Sequence, residues 1–173
     1  MHLNSIIDGI AKIIKVDDVD TDNIFHASLL TIHDPLEIKK HIFGNLPGYE
    51  NFPLEDHRRE ILFVGKNFGK GSTRQQAVTG FLAHDITFII GKSFAPIYYT
   101  NAINEGLLLI RASEIDNLNL ENGDKIKIDI NNSKIYNKKS GNSISFEKIP
   151  KPVLDIVEAG GLLELGKKLV FNS

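Results

Sequence analysis

The stretch Gly65-Lys66-Asn67-Phe68-Gly69-Lys70-Gly71-Ser72-Thr73-Arg74 gathers hydroxyls, cations and glycines between a short apolar run and a helical one. Ser72 and Thr73 fall at the expected start of that helix, where unpaired backbone N–H groups and the positive end of the helix dipole favour an anion. Arg74 adds a planar fork of donors, and Gly69 and Gly71 clear side chains from the path of a ligand toward the backbone. The chemistry this offers is capture of a small carboxylate or phosphate. A capped helix entered through a glycine turn, with a surface arginine, accounts for the same spacing. Nucleotide sites fit poorly: the third glycine of a dinucleotide fingerprint is Arg74, and Lys70 precedes Gly71 where a phosphate loop needs lysine followed by Ser or Thr.

Three other groups could carry chemistry. Asp18, Asp20 and Asp22 match the first, third and fifth positions of a calcium-hand loop. The sixth and twelfth positions hold Asn23 and Leu29 instead of glycine and glutamate, so this acidic stretch reads as a solvated loop. The six histidines, His2, His26, His33, His41, His57 and His84, include no pair at metal-protease spacing and read as surface or locally bonded residues. Ser72 lies outside any Gly-x-Ser-x-Gly elbow. Asn101 and Asn104, in the run Asn101-Ala102-Ile103-Asn104-Glu105-Gly106, place two amides near a helix end, where bonding to orphan carbonyls or to a neighbouring loop gives them a structural role.

The elements that must position these residues follow from periodicity. Residues 8–16 alternate as a strand. Asp34-Pro35 opens a helix with Leu36, Ile38, Ile42 and Phe43 on its apolar side and Gly44 as its stop. Residues 45–59 are turn chemistry without a period, a long loop suited to function or mobility. Strand 61–64 leads through the glycine loop into a helix carrying Ala77, Val78, Phe81 and Leu82, followed by strand 87–91, helix 95–104 and strand 107–110. This β-α-β-α-β order predicts an α/β unit with parallel pairing and right-handed crossovers. Segments 125–130, 133–138 and 143–148 read as antiparallel β, and 152–159 and 162–169 as closing helices.

With 173 residues the chain has room for one core, so residues 1–173 read as a single domain. A net charge of -2 with scattered basic residues gives no footprint for nucleic acid. No apolar run approaches signal-peptide or membrane-spanning length, which implies a cytoplasmic protein with no membrane partner. The absence of cysteine rules out disulfides, thiol nucleophiles and thiolate ligation of a cluster by this chain.

Asn67-Phe68-Gly69-Lys70-Gly71-Ser72-Thr73-Arg74, then Ser93-Phe94-Ala95, then Asn101-Ala102-Ile103-Asn104-Glu105-Gly106-Leu107, with Asp20-Thr21-Asp22-Asn23-Ile24 upstream, together resemble the small-subunit family of 3-isopropylmalate dehydratase and the related swivelling domain of aconitases. The resemblance runs from about Gly9 to Ile110. It implies a swivelling β/β/α domain that closes over a large partner subunit carrying a [4Fe-4S] cluster, in a heterodimer or heterotetramer. Together the two would act as a hydro-lyase on a small 2-hydroxy dicarboxylic acid, foremost 3-isopropylmalate in leucine biosynthesis, with methylated malate, citraconate or homoaconitate as alternatives. By position, Ser72 would be the base, and Thr73 and Arg74 would bind substrate carboxylate. No cofactor is expected on this chain itself. A non-enzymatic anion-binding module of the same fold is the competing expectation.

Relatives in that family usually carry serine where Thr73 stands and Glu-His where Gln75-Gln76 stand. Their substrate-recognising loop often reads Tyr-Leu-Arg-Thr, whereas this chain has Ser28-Leu29-Leu30-Thr31-Ile32. Leu29, Leu30 and Thr31 are therefore expected to contact substrate. Without an arginine there, an apolar isopropyl or methyl substituent suits the loop better than a third carboxylate.

Overall fold

A computed structural model describes residues 5–171. One seven-stranded sheet forms its centre, in the order β4-β3-β2-β1-β5-β6-β7. The parallel half comprises β1 (Ile6–Ile14), β2 (Glu60–Val64), β3 (Phe88–Gly91) and β4 (Leu108–Arg111). The antiparallel half joins β1 to β5 (Lys125–Asp129), then β6 (Lys134–Asn137) and β7 (Ser143–Ser145). The expected mixed α/β architecture is therefore present, and β1 is the hinge between its two pairing modes.

The residue pattern explains the division. In β2 the apolar run Ile61-Leu62-Phe63-Val64 is buried on both faces, with Leu62 and Val64 in one core cluster and Ile61 and Phe63 in the other. Such a strand needs cover on each side, which crossover helices supply. Along β5, by contrast, Ile126 and Ile128 are buried, Lys125 is exposed and Lys127 half-buried, so one face stays toward solvent.

Short helices α1 (Thr21–Ile24) and α2 (Pro35–Ile38) precede the crossover helices α3 (Gln76–Ala83) and α4 (Pro96–Asn104), and α5 (Lys151–Ala159) and α6 (Leu162–Phe171) close the chain. Asp34 caps α2 as expected, accepting from the Leu36 N–H at 3.0 Å. That helix is shorter than its pattern implied, passing into a 3-10 turn at Lys39–His41, and Leu36 is exposed.

Three expectations are corrected. The acidic stretch is not a solvated loop throughout, because Asp20 caps α1 in a reciprocal capping box with Asn23 and Asp22 is bonded across the molecule. Residues 45–59 are pinned to the core at three points, with Leu46, Phe52 and His57 buried. Helix α3 begins at Gln76, so Ser72 and Thr73 lie in the loop ahead of it. His2 lies outside the described residues.

Candidate functional site

The acidic motif, the glycine loop and the turn at Ser93 meet beyond the C-terminal ends of β1, β2 and β3, which is where open α/β sheets place their ligands. The glycine loop is clamped from two sides. On one side Thr21 N–H donates to the Lys70 carbonyl, and the Gly69 and Lys70 N–H groups donate to Val19. On the other, Phe68 N–H donates to Ser93, Ala95 N–H donates to Phe68, and Asn67 N–H donates to Ser93 Oγ. Asn67 Nδ2 also reaches Asp18 Oδ1 at 2.7 Å.

Close packing dictates the two central glycines. A Cβ on Gly69 would sit 2.2 Å from the Tyr98 ring, and one on Gly71 2.8 Å from the Asp20 carboxylate oxygens, with φ at +79° and +102°. The expectation that they clear a ligand's approach is thus replaced by a packing reason. Tyr98 is fully buried beneath the loop and donates to the Ala77 carbonyl at 3.0 Å, tying α4 to α3; burial pushes its phenol far above the usual range.

Past Gly71 the clamping stops. Ser72 and Thr73 are exposed, and their hydroxyls have no partner among the described residues. The backbone N–H groups of Gly71 through Gln76 likewise meet no acceptor within the described residues; the first bonds resume at Ala77, Val78 and Thr79. A run of consecutive free donors beside two hydroxyls leaves this turn able to bond an anion without requiring a helix terminus.

Arg74 is half-buried and held at one end. Its Nη1 donates to Asp22 Oδ1 at 2.6 Å and to the Phe25 carbonyl at 3.1 Å. Nε and Nη2 make no hydrogen bond among the described residues, leaving the side-on edge of the guanidinium for an incoming carboxylate. The Ala27 N–H, followed by Arg74, holds the Asp22 carboxyl below its usual range. Sequence reasoning missed Asp22; an acid in a short motif that faces a loop arginine was the available signal.

A polar hollow of about 350 Å³ beside the loop is lined by Thr73, Gln75, Asn101, Asn104 and Glu105. Gln75 Nε2 donates to Glu105 Oε1 at 2.9 Å. The amides expected to bond orphan carbonyls are instead half-buried in this wall. Of the recognition loop, Leu30 and Thr31 are exposed, while Leu29 is half-buried against the core. His57 and His84 are locally bonded but buried. His57 Nδ1 and Nε2 meet Glu60 Oε2 and the Phe52 carbonyl, and His84 Nε2 meets the Lys39 carbonyl.

Residues 5–115 match the family described as the aconitase C-terminal domain. The 3-isopropylmalate dehydratase small subunit 1 of Archaeoglobus fulgidus is 38% identical over 153 residues, covering 88% of this chain and 92% of that one. The corresponding small subunit of Aquifex aeolicus is also 38% identical, covering 88% and 89%. Among solved structures, 3-isopropylmalate dehydratase (LeuD) of Methanocaldococcus jannaschii superposes with a TM-score of 0.85 at 37% identity over 96% of each chain.

Proposed function

The chain belongs to the aconitase C-terminal domain family, and from that membership we propose that it is the small subunit of a two-subunit hydro-lyase of 3-isopropylmalate dehydratase type, serving leucine biosynthesis in the cytoplasm. Residues 1–173 act in this reading as a single swivelling domain, which the unbroken sheet favours.

The observation that carries the reading is the open turn itself: free N–H groups from Gly71 to Gln76 beside the exposed hydroxyls of Ser72 and Thr73. A serine hydroxyl is a weak base, so it needs surroundings that favour its oxyanion; neighbouring unbonded backbone donors would provide them. Ser72 Oγ then takes the proton from the carbon beside a substrate carboxylate. The unbonded Nε and Nη2 edge of Arg74 grips that carboxylate in bidentate fashion and fixes which proton faces Ser72. Thr73 adds a hydroxyl donor at the mouth of the polar hollow.

The chain has no cysteine, and among the described residues no group of three His, Asp or Glu side chains could hold a metal, so its residues do not fit a [4Fe-4S] cluster. In this reading the cluster sits on the large subunit and supplies the Lewis acid for the leaving hydroxyl. The substrate is a 2-hydroxy dicarboxylic acid with an apolar substituent, because Leu30 is exposed in a segment, residues 28–32, that carries no cation.

The test is reconstitution with the large subunit and measurement of 3-isopropylmalate dehydration. Ser72→Ala is expected to lose about 10²–10⁴-fold in kcat while the complex still assembles. Normal turnover by that variant removes Ser72 as the base; a wild-type pair inert on isopropyl- and methyl-substituted malates removes the function.

A further inference from the structure

Residues 25–32 carry the exposed Leu30 and Thr31 on backbone with little regular structure, a single 3-10 turn at Ala27–Leu29. The loop is positioned by packing of Leu29 and Ile32 against the core and by a set of hydrogen-bond tethers to its neighbours. Near its base, Ala27 N–H donates to Asp22 Oδ1 at 2.9 Å and Arg74 Nη1 donates to the Phe25 carbonyl at 3.1 Å. At its apex the side chain of Gln76 takes over, with Nε2 donating to the Leu30 carbonyl at 3.1 Å and to the Ile32 carbonyl at 3.4 Å. The other bonds of the apex are local, from Leu30 N–H to Ala27 and from Ile32 N–H to Leu29, and they set the turn's shape without setting its place on the molecule.

Gln76 is itself firmly placed. It is the first residue of α3, and the next two, Ala77 and Val78, are fully buried. Two residues earlier stands Arg74, the proposed carboxylate anchor. The loop that would meet the alkyl end of the substrate and the group that would grip its carboxylate are therefore pinned to one short, rigid piece of chain.

We propose that Gln76 is a positioning residue that sets substrate size: by holding the Leu30 and Ile32 carbonyls it fixes the distance between the apolar loop apex and the Arg74 carboxylate grip. The proposal rests on the dehydratase reading above. Its chemistry requires a donor, since both partners are carbonyl oxygens. A glutamate at 76 sets a carboxylate against them, whereas a histidine offers a ring N–H of similar reach.

Two measurements test it. In the isolated chain, hydrogen exchange of the amides in residues 29–32 is expected to quicken about tenfold in Gln76→Glu relative to wild type and to return toward wild type in Gln76→His. In the complex with the large subunit, Gln76→Glu is expected to raise KM for isopropylmalate about tenfold, leave kcat within about twofold, and change kcat/KM for a methyl-substituted malate little, with Gln76→His restoring most of the loss. Unchanged exchange overturns the tether. Equal losses on both acids, or a fall in kcat at constant KM, overturn the specificity role. A wild-type pair inactive on both acids, with faster exchange in the variant, removes the dehydratase reading and the size role together while leaving the tether standing.

Discussion

Two long irregular segments of this chain have opposite fates, and both are built from turn residues, Pro47, Gly48 and Pro53 in one and Gly65, Gly69 and Gly71 in the other. Residues 45–59 tie much of their backbone locally, through bonds such as Leu46 to Phe43, Tyr49 to Leu46 and Phe52 to Tyr49. They then bury Phe52, which lies edge-on to Phe43 at 4.9 Å and stacks on His57 at 3.9 Å. Residues 65–76 begin equally well bonded but end in a run of N–H groups with no acceptor. The first segment is anchored to the core through Leu46, Phe52 and His57, and the second ends in an open set of donors. What separates them is where unspent polar groups remain, which matters more than length or glycine content.

The sharpest way to break this comparison is to exchange the expected symptoms. Phe52→Ala is expected to cost about 3–5 kcal/mol of stability, the cavity penalty for a fully buried phenylalanine, as read by denaturant unfolding. Below its lowered melting temperature the variant should still support turnover with the large subunit. A loss of activity at full stability would place residues 45–59 in the site and erase the contrast.

Gly69→Ala probes the joint between the clamped and open parts of the glycine loop. The new methyl meets the Tyr98 ring at a position with positive φ, so the expected cost is about 2–4 kcal/mol from backbone strain and overpacking together. Because the loop carries Ser72, turnover should fall as well, in contrast to Phe52→Ala. An unperturbed melting temperature would mean that Tyr98 yields easily and that packing does not dictate the glycine.

Periodicity made the sheet legible because burial on both faces of the parallel strands and one face of the antiparallel strands leaves distinct patterns in Ile61-Leu62-Phe63-Val64 and Lys125-Ile126-Lys127-Ile128. Ser72, Thr73 and Arg74 were legible as a cluster because they are adjacent in the chain. The start of α3 was misplaced by three to four residues, since Ser72 and Thr73 look like caps while the helix is entered from Gln75 without a side-chain cap. The pairing of Asp22 with Arg74 spans 52 positions and has no local signature. The same holds for Gln76 on the Leu30 carbonyl, 46 positions away. Packing of residues 45–59 was hidden because single aromatics such as Phe52 carry no period.

The smallest effect concerns pH and tests whether the packed loop behaves as core. His84 lies edge-on to Phe52 at 5.5 Å and to His57 at 4.8 Å, and burial, opposed by its bond to the Lys39 carbonyl, holds its imidazole below the ordinary value of 6.5. The unfolded chain therefore takes up a proton on His84 before the folded one does. Stability attributable to this group is complete above about pH 6.5 and declines as pH falls, levelling once the folded imidazole also titrates. His84→Gln keeps an amide donor for the Lys39 carbonyl and removes the titration. It should flatten the stability profile just below about pH 6.5 relative to wild type, measured by denaturant unfolding at each pH. The difference between the profiles reports His84 together with its contact to His57. Parallel profiles would show that the ring is solvated in solution, and the aromatic cluster around Phe52 would then be looser than a core.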